Sequence, residues 1–255
     1  GEERGKLRRG WTTGACAAAA ARAAYAALLT GRFPDPVAIR LPRGETPSFP
    51  LALAEFAAGR ARAGIVKDAG DDPDVTHQAL VIAEIAPAAP GSGIRFAAGE
   101  GVGTVTRAGL SLAIGEPAIN PAPRAMIRET LQDLAEANGA SPPDLTVTIA
   151  IPGGEALAEK TMNRRLGIVG GLSILGTTGI VVPYSCSSWV HAIHRGIDVA
   201  RAAGVGHIAA ATGSVSERAV QRLYALPDHA LIEMGDFVGG MLKYLRRHPV
   251  AAAIC

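Results

Sequence analysis

From Ala15 to Leu29 almost every position is apolar, most are alanine, and Arg22 alone interrupts the run; Thr12-Thr13 precede it and Thr30-Gly31 follow it. Alanine is the strongest helix former, threonine a good N-cap and glycine a usual stop, so the pattern predicts a buried helix over 15–29. Beyond residue 36 the period shortens to runs of Val, Ile and Leu separated by Gly, Pro and Asp. These predict strands at 37–41, 49–56, 79–85, 94–97 and 103–107 in a mostly antiparallel sheet. Apolar residues return at helical spacing over 126–138, which stops at Asn138-Gly139, and a strand over 145–151 follows. After residue 180 strands (180–182, 207–211, 230–233, 250–254) alternate with helices (190–203, 216–226, 237–247), the signature of a parallel α/β sheet. The expected architecture is an α+β N-terminal domain, residues 1–160, and an α/β parallel-sheet (Rossmann-like) C-terminal domain, residues 161–255. The second reads as truncated, because one more turn and helix are expected after Cys255.

The polar residues that interrupt this pattern gather in a few places. Residues 163–183 hold five glycines and the pair Thr177-Thr178 between apolar runs, so backbone N–H groups can face outward; a ligand surface and a tight turn both fit. The spacing matches neither the dinucleotide nor the P-loop fingerprint. In parallel sheets ligands sit at the carboxyl ends of strands, here Ser185-Cys186-Ser187-Ser188, Thr212-Gly213-Ser214 and Met234-Gly235-Asp236, where helix capping is the plain alternative. Residues 66–76 carry Lys67, Asp68, Asp71, Asp72 and Asp74; a solvated turn, a cation partner and a carboxylate near a reacting centre stay open, without the spacing of a calcium loop. Thr12 and Thr13 either cap the first helix or use its free amides to hold a carboxylate. Gly99–Gly103 and the proline-rich 115–124 stretch read as walls, the latter rigid and extended.

Composition narrows the classes. With 255 residues, 48% of them hydrophobic, the chain can bury a sizeable core, and with only 4% aromatics it must pack through small side chains. Twenty-five basic against 23 acidic residues leave +2, which excludes a nucleic-acid binder that relies on a broad phosphate footprint. Cys16, Cys186 and Cys255 lie far apart with no metal-ligand spacing, so a reduced, cytoplasmic protein with no bound metal is expected. The first ten residues are charged and no uncharged 18-residue apolar run follows, so neither a signal sequence nor a membrane span is expected.

Taken in order along nearly the whole chain, Thr12-Thr13-Gly14-Ala15-Cys16-Ala17, Lys67-Asp68-Ala69-Gly70-Asp71-Asp72-Pro73-Asp74-Val75-Thr76, Gly99-Glu100-Gly101-Val102-Gly103, Ala118-Ile119-Asn120-Pro121 with Pro123-Arg124, and residues 163–179 resemble the cobalt-precorrin-5B C1-methyltransferase (CbiD) family of cobalamin biosynthesis. The resemblance implies methyl transfer from S-adenosylmethionine to C-1 of a contracted-ring precorrin, giving the precorrin-6A stage. It departs from the family at Pro183-Tyr184-Ser185-Cys186-Ser187-Ser188-Trp189, where many members carry an acidic residue soon after the proline and serine.

The residues suit that chemistry. In-line displacement at a sulfonium needs alignment and exclusion of water rather than a protein nucleophile. The expected carboxylate role falls to Asp68, Asp71 or Asp72. Substrate binding falls to Thr12, Thr13, Lys67, Arg107, Arg124 and Arg164, since a precorrin rim carries acetates and propionates that forked donors recognise. The donor is expected at Gly176, Thr177, Thr178, Gly179, Gly213, Ser214 and Asp236. The tetrapyrrole is the expected partner, with homo-oligomerisation left open. Two competing readings remain: a non-catalytic corrinoid carrier, and an enzyme using Cys186 as nucleophile with His191 or His194 as base.

Overall fold

The structure is a computed structural model and describes residues 7–255; part of the charged opening segment lies outside the described residues. The elements of the first two thirds are β1 (Gly10–Trp11), α1 (Thr13–Thr30), β2 (Val37–Ala38), β3 (Ser48–Phe49), β4 (Leu53–Ala57), β5 (Arg60–Val66), β6 (Leu80–Pro87), β7 (Ile94–Ala98), β8 (Thr104–Val105), α2 (Pro121–Ala137), β9 (Leu145–Ala150), α3 (Gly154–Ala158), β10 (Ile168–Val169) and β11 (Ile180–Val181). They are followed by α4 (Cys186–Ala202), β12 (His207–Ala211), α5 (Ser214–Tyr224), β13 (Leu231–Glu233), α6 (Val238–Leu245) and β14 (Ala252–Ile254). The fold is mixed α/β. No helix among the described residues is long and apolar enough to cross a membrane.

Two compact units result. The first takes the described residues up to Thr104, with Glu116–Thr161 and Gly170–Tyr184; the second takes Val105–Gly115, Met162–Val169 and Ser185–Cys255.

Unit 1 is built on a five-stranded sheet in the order β4-β5-β6-β9-β7, antiparallel throughout except for the parallel pair β7–β9. Strand alternation puts Ala61, Ala63, Ile65, Val81, Ala83, Ile85, Val147 and Ile149 on one buried face. Helix α1 lies in the same core, and its residues from Ala15 to Ala21 are fully buried. Its alanines serve two ends: they favour the helix, and their small side chains let sheet and helix approach to interior packing density. Thr12 caps α1 by accepting from the Ala15 N–H, and Gly31 ends it at φ 75° with its N–H donating to the Ala27 carbonyl. Helix α2 presents Met126, Ile127, Thr130, Leu131 and Leu134 to the core, one stripe at helical spacing.

Four sequence expectations are corrected here. The single strand expected over 49–56 is two elements: Ser48–Phe49 pairs with β2, and Leu53–Ala57 opens a hairpin. The hairpin's return strand β5 went unread because Ala and Arg blur its alternation; Ala58 and Gly59, at φ 44° and 79°, make its turn. Residues 115–124 are not one extended path, since Pro121 and Pro123 fall in the first turn of α2, where a missing N–H costs nothing. Residues 180–182 do not start a parallel sheet: β11 pairs antiparallel with β1, Gly10 opposite Val181 and Trp11 opposite Ile180.

In unit 2, β12 lies between β13 and β14 and is parallel to both. Ile193, Ile197 and Ala200 of α4 and Met241 of α6 pack with Ile208, Ala210 and Ile232 of the strands in a second, smaller core.

Candidate functional site

Three segments remote in sequence meet in unit 1: residues 8–14, 67–76 and 175–184. Their approach is set by glycine. A Cβ on Gly10 would stand 2.0 Å from the Ala69 carbonyl carbon, and one on Gly70 would stand 2.2 Å from the Arg8 carbonyl oxygen. A Cβ on Gly176 would fall 2.4 Å from the Thr12 side chain, and one on Gly179 would strike Leu41 at 2.5 Å. Gly176 thus serves close packing against the start of α1 and Gly179 against Leu41, and the approach of these segments brings most of the expected polar residues together.

The first turn of α1 is already occupied. Gly14 N–H donates to the Leu175 carbonyl at 2.9 Å, Ala15 N–H to Thr12 Oγ1 at 3.1 Å, and Thr12 N–H to the Gly179 carbonyl at 2.9 Å. Thr12 and Thr13 are buried. Their role here is to bind the 175–179 turn to the helix start. Thr178 Oγ1 accepts from the Ile180 N–H at 3.2 Å in a local turn, whereas Thr177 is exposed.

Lys67 follows β5 and its side chain is 2% exposed. Its ammonium donates to Asp74 Oδ2 at 2.5 Å, Thr76 Oγ1 at 2.6 Å and Thr13 Oγ1 at 3.2 Å, which uses all three donors. Asp74 also accepts from Thr76 N–H and Oγ1. Burial pushes the Asp74 carboxyl up, but Lys67 and the Thr76 donors outweigh it and the net shift is downward. Asp74 and Thr76 carry this pairing; for Asp74 the cation partner left open for the acidic run is Lys67, while Thr76 has no assigned role in the sequence. The signal was available: a lysine at the end of an apolar strand needs a buried acid, and Asp74 is within reach.

The other three aspartates face outward. Asp68 takes a two-pronged bond from Arg8, at 2.5 and 2.8 Å. With the Gly70 N–H adding to it, the Arg8 guanidinium holds the Asp68 carboxyl down at about 2. Asp71 accepts the Arg8 N–H at 2.6 Å, and Asp72 accepts the Tyr184 N–H at 2.9 Å. All three therefore pin the loop to neighbouring segments, and Asp68 is a firmly ionised acceptor rather than a group poised to take a proton near neutral pH.

The arginines divide. Arg124 is 14% exposed and donates to the Ile119 carbonyl at 2.7 Å, Glu116 at 2.7 Å and the Pro117 carbonyl at 3.0 Å, bracing the loop before α2. In unit 2, Arg107 lays its stem over Gly167 and reaches the Arg165 carbonyl at 3.5 Å, and Arg165 makes a forked pair with the buried Glu217. Arg164 is exposed and forms no ion pair among the described residues.

Gly213, Ser214 and Asp236 lie in unit 2, where the parallel strands β12 and β13 end, and so in a different unit from residues 176–179. Gly213 is the N-cap position of α5 with open space where a Cβ would be, and Ser214 and Asp236 are exposed. Trp189, half-buried on the first turn of α4, packs over Gly235 on the same edge. Cys186 is the first residue of α4 and is exposed, while His194 is stacked on Tyr244 with centroids 3.9 Å apart.

An open cavity of 410 Å³ in unit 1 is lined by Glu100, Gly101, Gly153, Glu155, Ala156 and Glu159; Glu100 and Gly101 belong to the stretch expected as a wall, and none of the residues expected to bind or catalyse lines it. Three glutamates make it a poor seat for a polycarboxylate.

These are the features of a mixed α/β protein whose polar groups are gathered where glycines let chain segments meet. The family model CbiD matches residues 1–183, and the chain belongs to that family. Over 249 residues it is 62% identical to a cobalt-precorrin-5B C(1)-methyltransferase of Brucella anthropi, covering 98% of this chain and 67% of the relative. Over 244 residues it is 68% identical to the protein of that name from Bradyrhizobium sp., covering 96% of this chain and 65% of the relative. The crystal structure of a cobalamin biosynthesis protein (cbiD) from Archaeoglobus fulgidus is 32% identical, with a TM-score of 0.55 over 97% of this chain and 76% of that one. The chain thus spans about two thirds of the length of the curated relatives.

Proposed function

We propose that this chain carries the chemistry of an S-adenosylmethionine-dependent C-methyltransferase acting at C-1 of a (cobalt-)precorrin-5B in cobalamin biosynthesis, in the cytoplasm. The observation that carries the reading is the 62–68% identity, over 96–98% of the chain, to relatives named for that reaction.

The donor supplies an electrophilic methyl group on a sulfonium. The ring carbon C-1 provides the electron pair for the new C–C bond, and the S–CH₃ pair returns to sulfur, leaving S-adenosylhomocysteine. The protein has to align the two molecules and keep water out. In this reading unit 2, as the Rossmann-like half, takes the donor where its parallel strands end: Gly213 leaves the backbone open, Ser214 and Asp236 offer polar groups, and Trp189 a ring face. Exposed Arg164 is the clearest partner for a rim carboxylate, with Arg107 as the second; Arg124 and Lys67, whose donors are engaged, hold the scaffold in place.

The test is incubation with cobalt-precorrin-5B and donor labelled in its methyl group. A product labelled at C-1, formed together with S-adenosylhomocysteine, is the expected result; binding of the corrinoid with no transfer would overturn the enzyme reading in favour of a carrier. Titration calorimetry with S-adenosylhomocysteine then places the donor: Asp236→Ala weakens binding, and a Thr178→Val variant, altered only in a turn of unit 1, does not.

A further inference from the structure

Directly after β11, Tyr184 has φ 54°, in the left-handed region that bulky L residues avoid. The four earlier positive-φ positions between residues 163 and 183, Gly167, Gly170, Gly176 and Gly179, are glycines, which adopt the conformation without steric conflict. At 184 the sequence keeps a tyrosine, and packing does not explain it. The residue is 67% exposed, the most exposed aromatic among the described residues, and within them its ring has no aromatic neighbour and its hydroxyl no hydrogen bond.

The conformation is held from the loop side: the Tyr184 N–H donates to Asp72 Oδ1 at 2.9 Å. Asp72 belongs to the loop that Gly10 and Gly70 allow to close against residues 8–11, and Asp68 and Asp71 fasten it to Arg8. Backbone strain kept by such surroundings, around a side chain that adds little to folding, marks a residue held for contact with a ligand. The antiparallel pairing of Gly10 with Val181 also brings Arg9, exposed and without an ion pair among the described residues, alongside the residues that lead to Tyr184. An exposed flat ring and a guanidinium carried on paired segments are the groups that recognise a flat macrocycle and the carboxylates on its rim.

We propose that Tyr184 contacts the substrate, its ring lying against the face of the tetrapyrrole, and that Asp72 is the positioning residue that aims it. This rests on the methyltransferase reading for the identity of the ligand.

The experiment is absorbance titration with dicyanocobyrinic acid, a stable corrin with rim carboxylates, on the wild type and on Tyr184→Phe, Tyr184→Gly and Asp72→Ala, each with its melting temperature. The proposal expects Phe to bind as the wild type does, and Gly to bind at least about tenfold more weakly, on the order of one lost aromatic contact. It also expects the Gly variant to melt no lower than the wild type, because glycine relieves the left-handed backbone. Asp72→Ala, which keeps the ring but frees its backbone, loses affinity as well. Wild-type affinity in the Gly variant would overturn the contact and leave the methyltransferase reading standing. A fall in melting temperature that tracks the loss of affinity would make Tyr184 structural and overturn it too. No binding by the wild type would bring down both.

Discussion

Lys67 Nζ lies 2.5 Å from Asp74 Oδ2, with the lysine side chain 2% exposed and the aspartate 24%. A buried cation is tolerable only because this carboxylate and two threonine hydroxyls surround it. The pair also ties the end of β5 and the aspartate loop to Thr13 at the start of α1.

Lys67→Met is therefore expected to destabilise unit 1 by about 3–5 kcal/mol, the cost of leaving one member of a buried pair without its partner. Urea denaturation measures it, and Asp74→Asn should fall in the same direction. If the double variant loses as much as the sum of the singles, the two side chains are uncoupled and the pairing is not what holds the loop.

Gly70 and Gly139 share nearly the same backbone angle, φ 68° and 64°, but only Gly70 is crowded: a Cβ there would meet the Arg8 carbonyl at 2.2 Å, and one at Gly139 meets nothing within 4 Å. Gly139→Ala should cost only the left-handed strain, about 1–2 kcal/mol. Gly70→Ala adds a backbone clash that no rotamer relieves, so it should lose at least about 1–3 kcal/mol more. Equal melting temperatures for the two variants would show that the 8–11 and 67–76 segments are not in close contact.

Arg8 sets the acid behaviour of the loop. Because the folded Asp68 carboxyl is lowered to about 2 from 3.8, its contribution to stability is fully present above pH 3.8 and disappears as pH falls through about 2. Both side chains are substantially exposed, so the effect is modest and weakens with salt. Arg8→Ala should return the Asp68 titration, followed by carboxyl NMR, toward 3.8; a midpoint still near 2 would assign the shift to the Gly70 N–H instead.

How much of this was legible depends on what set each feature. Helices α1 and α2, strand β9 and the βα alternation after residue 186 are written in local period and capping residues, and the sequence reading found them. Strand β5 was not, because Arg60, Arg62 and three small residues hide the alternation that its partners β4 and β6 impose. The attachment of β11 to β1 was equally hidden: it depends on Gly10 meeting Ala69, a contact between segments about sixty residues apart in the sequence. For the site, residue types were readable and their engagement was not. Thr12, Thr13, Lys67 and Arg124 look like free ligand donors in a sequence, and the structure shows each already bonded to the chain itself. Tyr184 lies in a stretch that departs from the family pattern, but its conformation gave no signal, since a positive φ outside glycine is invisible to pattern.

Unit 2 carries its own pH sensitivity. His194 on α4 stacks on Tyr244 of α6, whose other stacking neighbour is His248 at 4.1 Å, and Tyr244 Oη donates to Asp198 at 2.8 Å. Burial lowers the His194 pKa below 6.5, with the His191 and His248 rings adding to it and Asp198 and the Gly240 backbone opposing it. The folded state then binds this proton more weakly than the unfolded chain does. Its stability contribution is complete above pH 6.5 and is lost as pH falls below that value toward the lowered folded pKa. Replacing the ring by one that cannot ionise, His194→Phe, keeps the stack on Tyr244 and should flatten stability between pH 7 and pH 5, measured by urea midpoints at each pH. A slope as steep as that of the wild type would overturn His194 as its source.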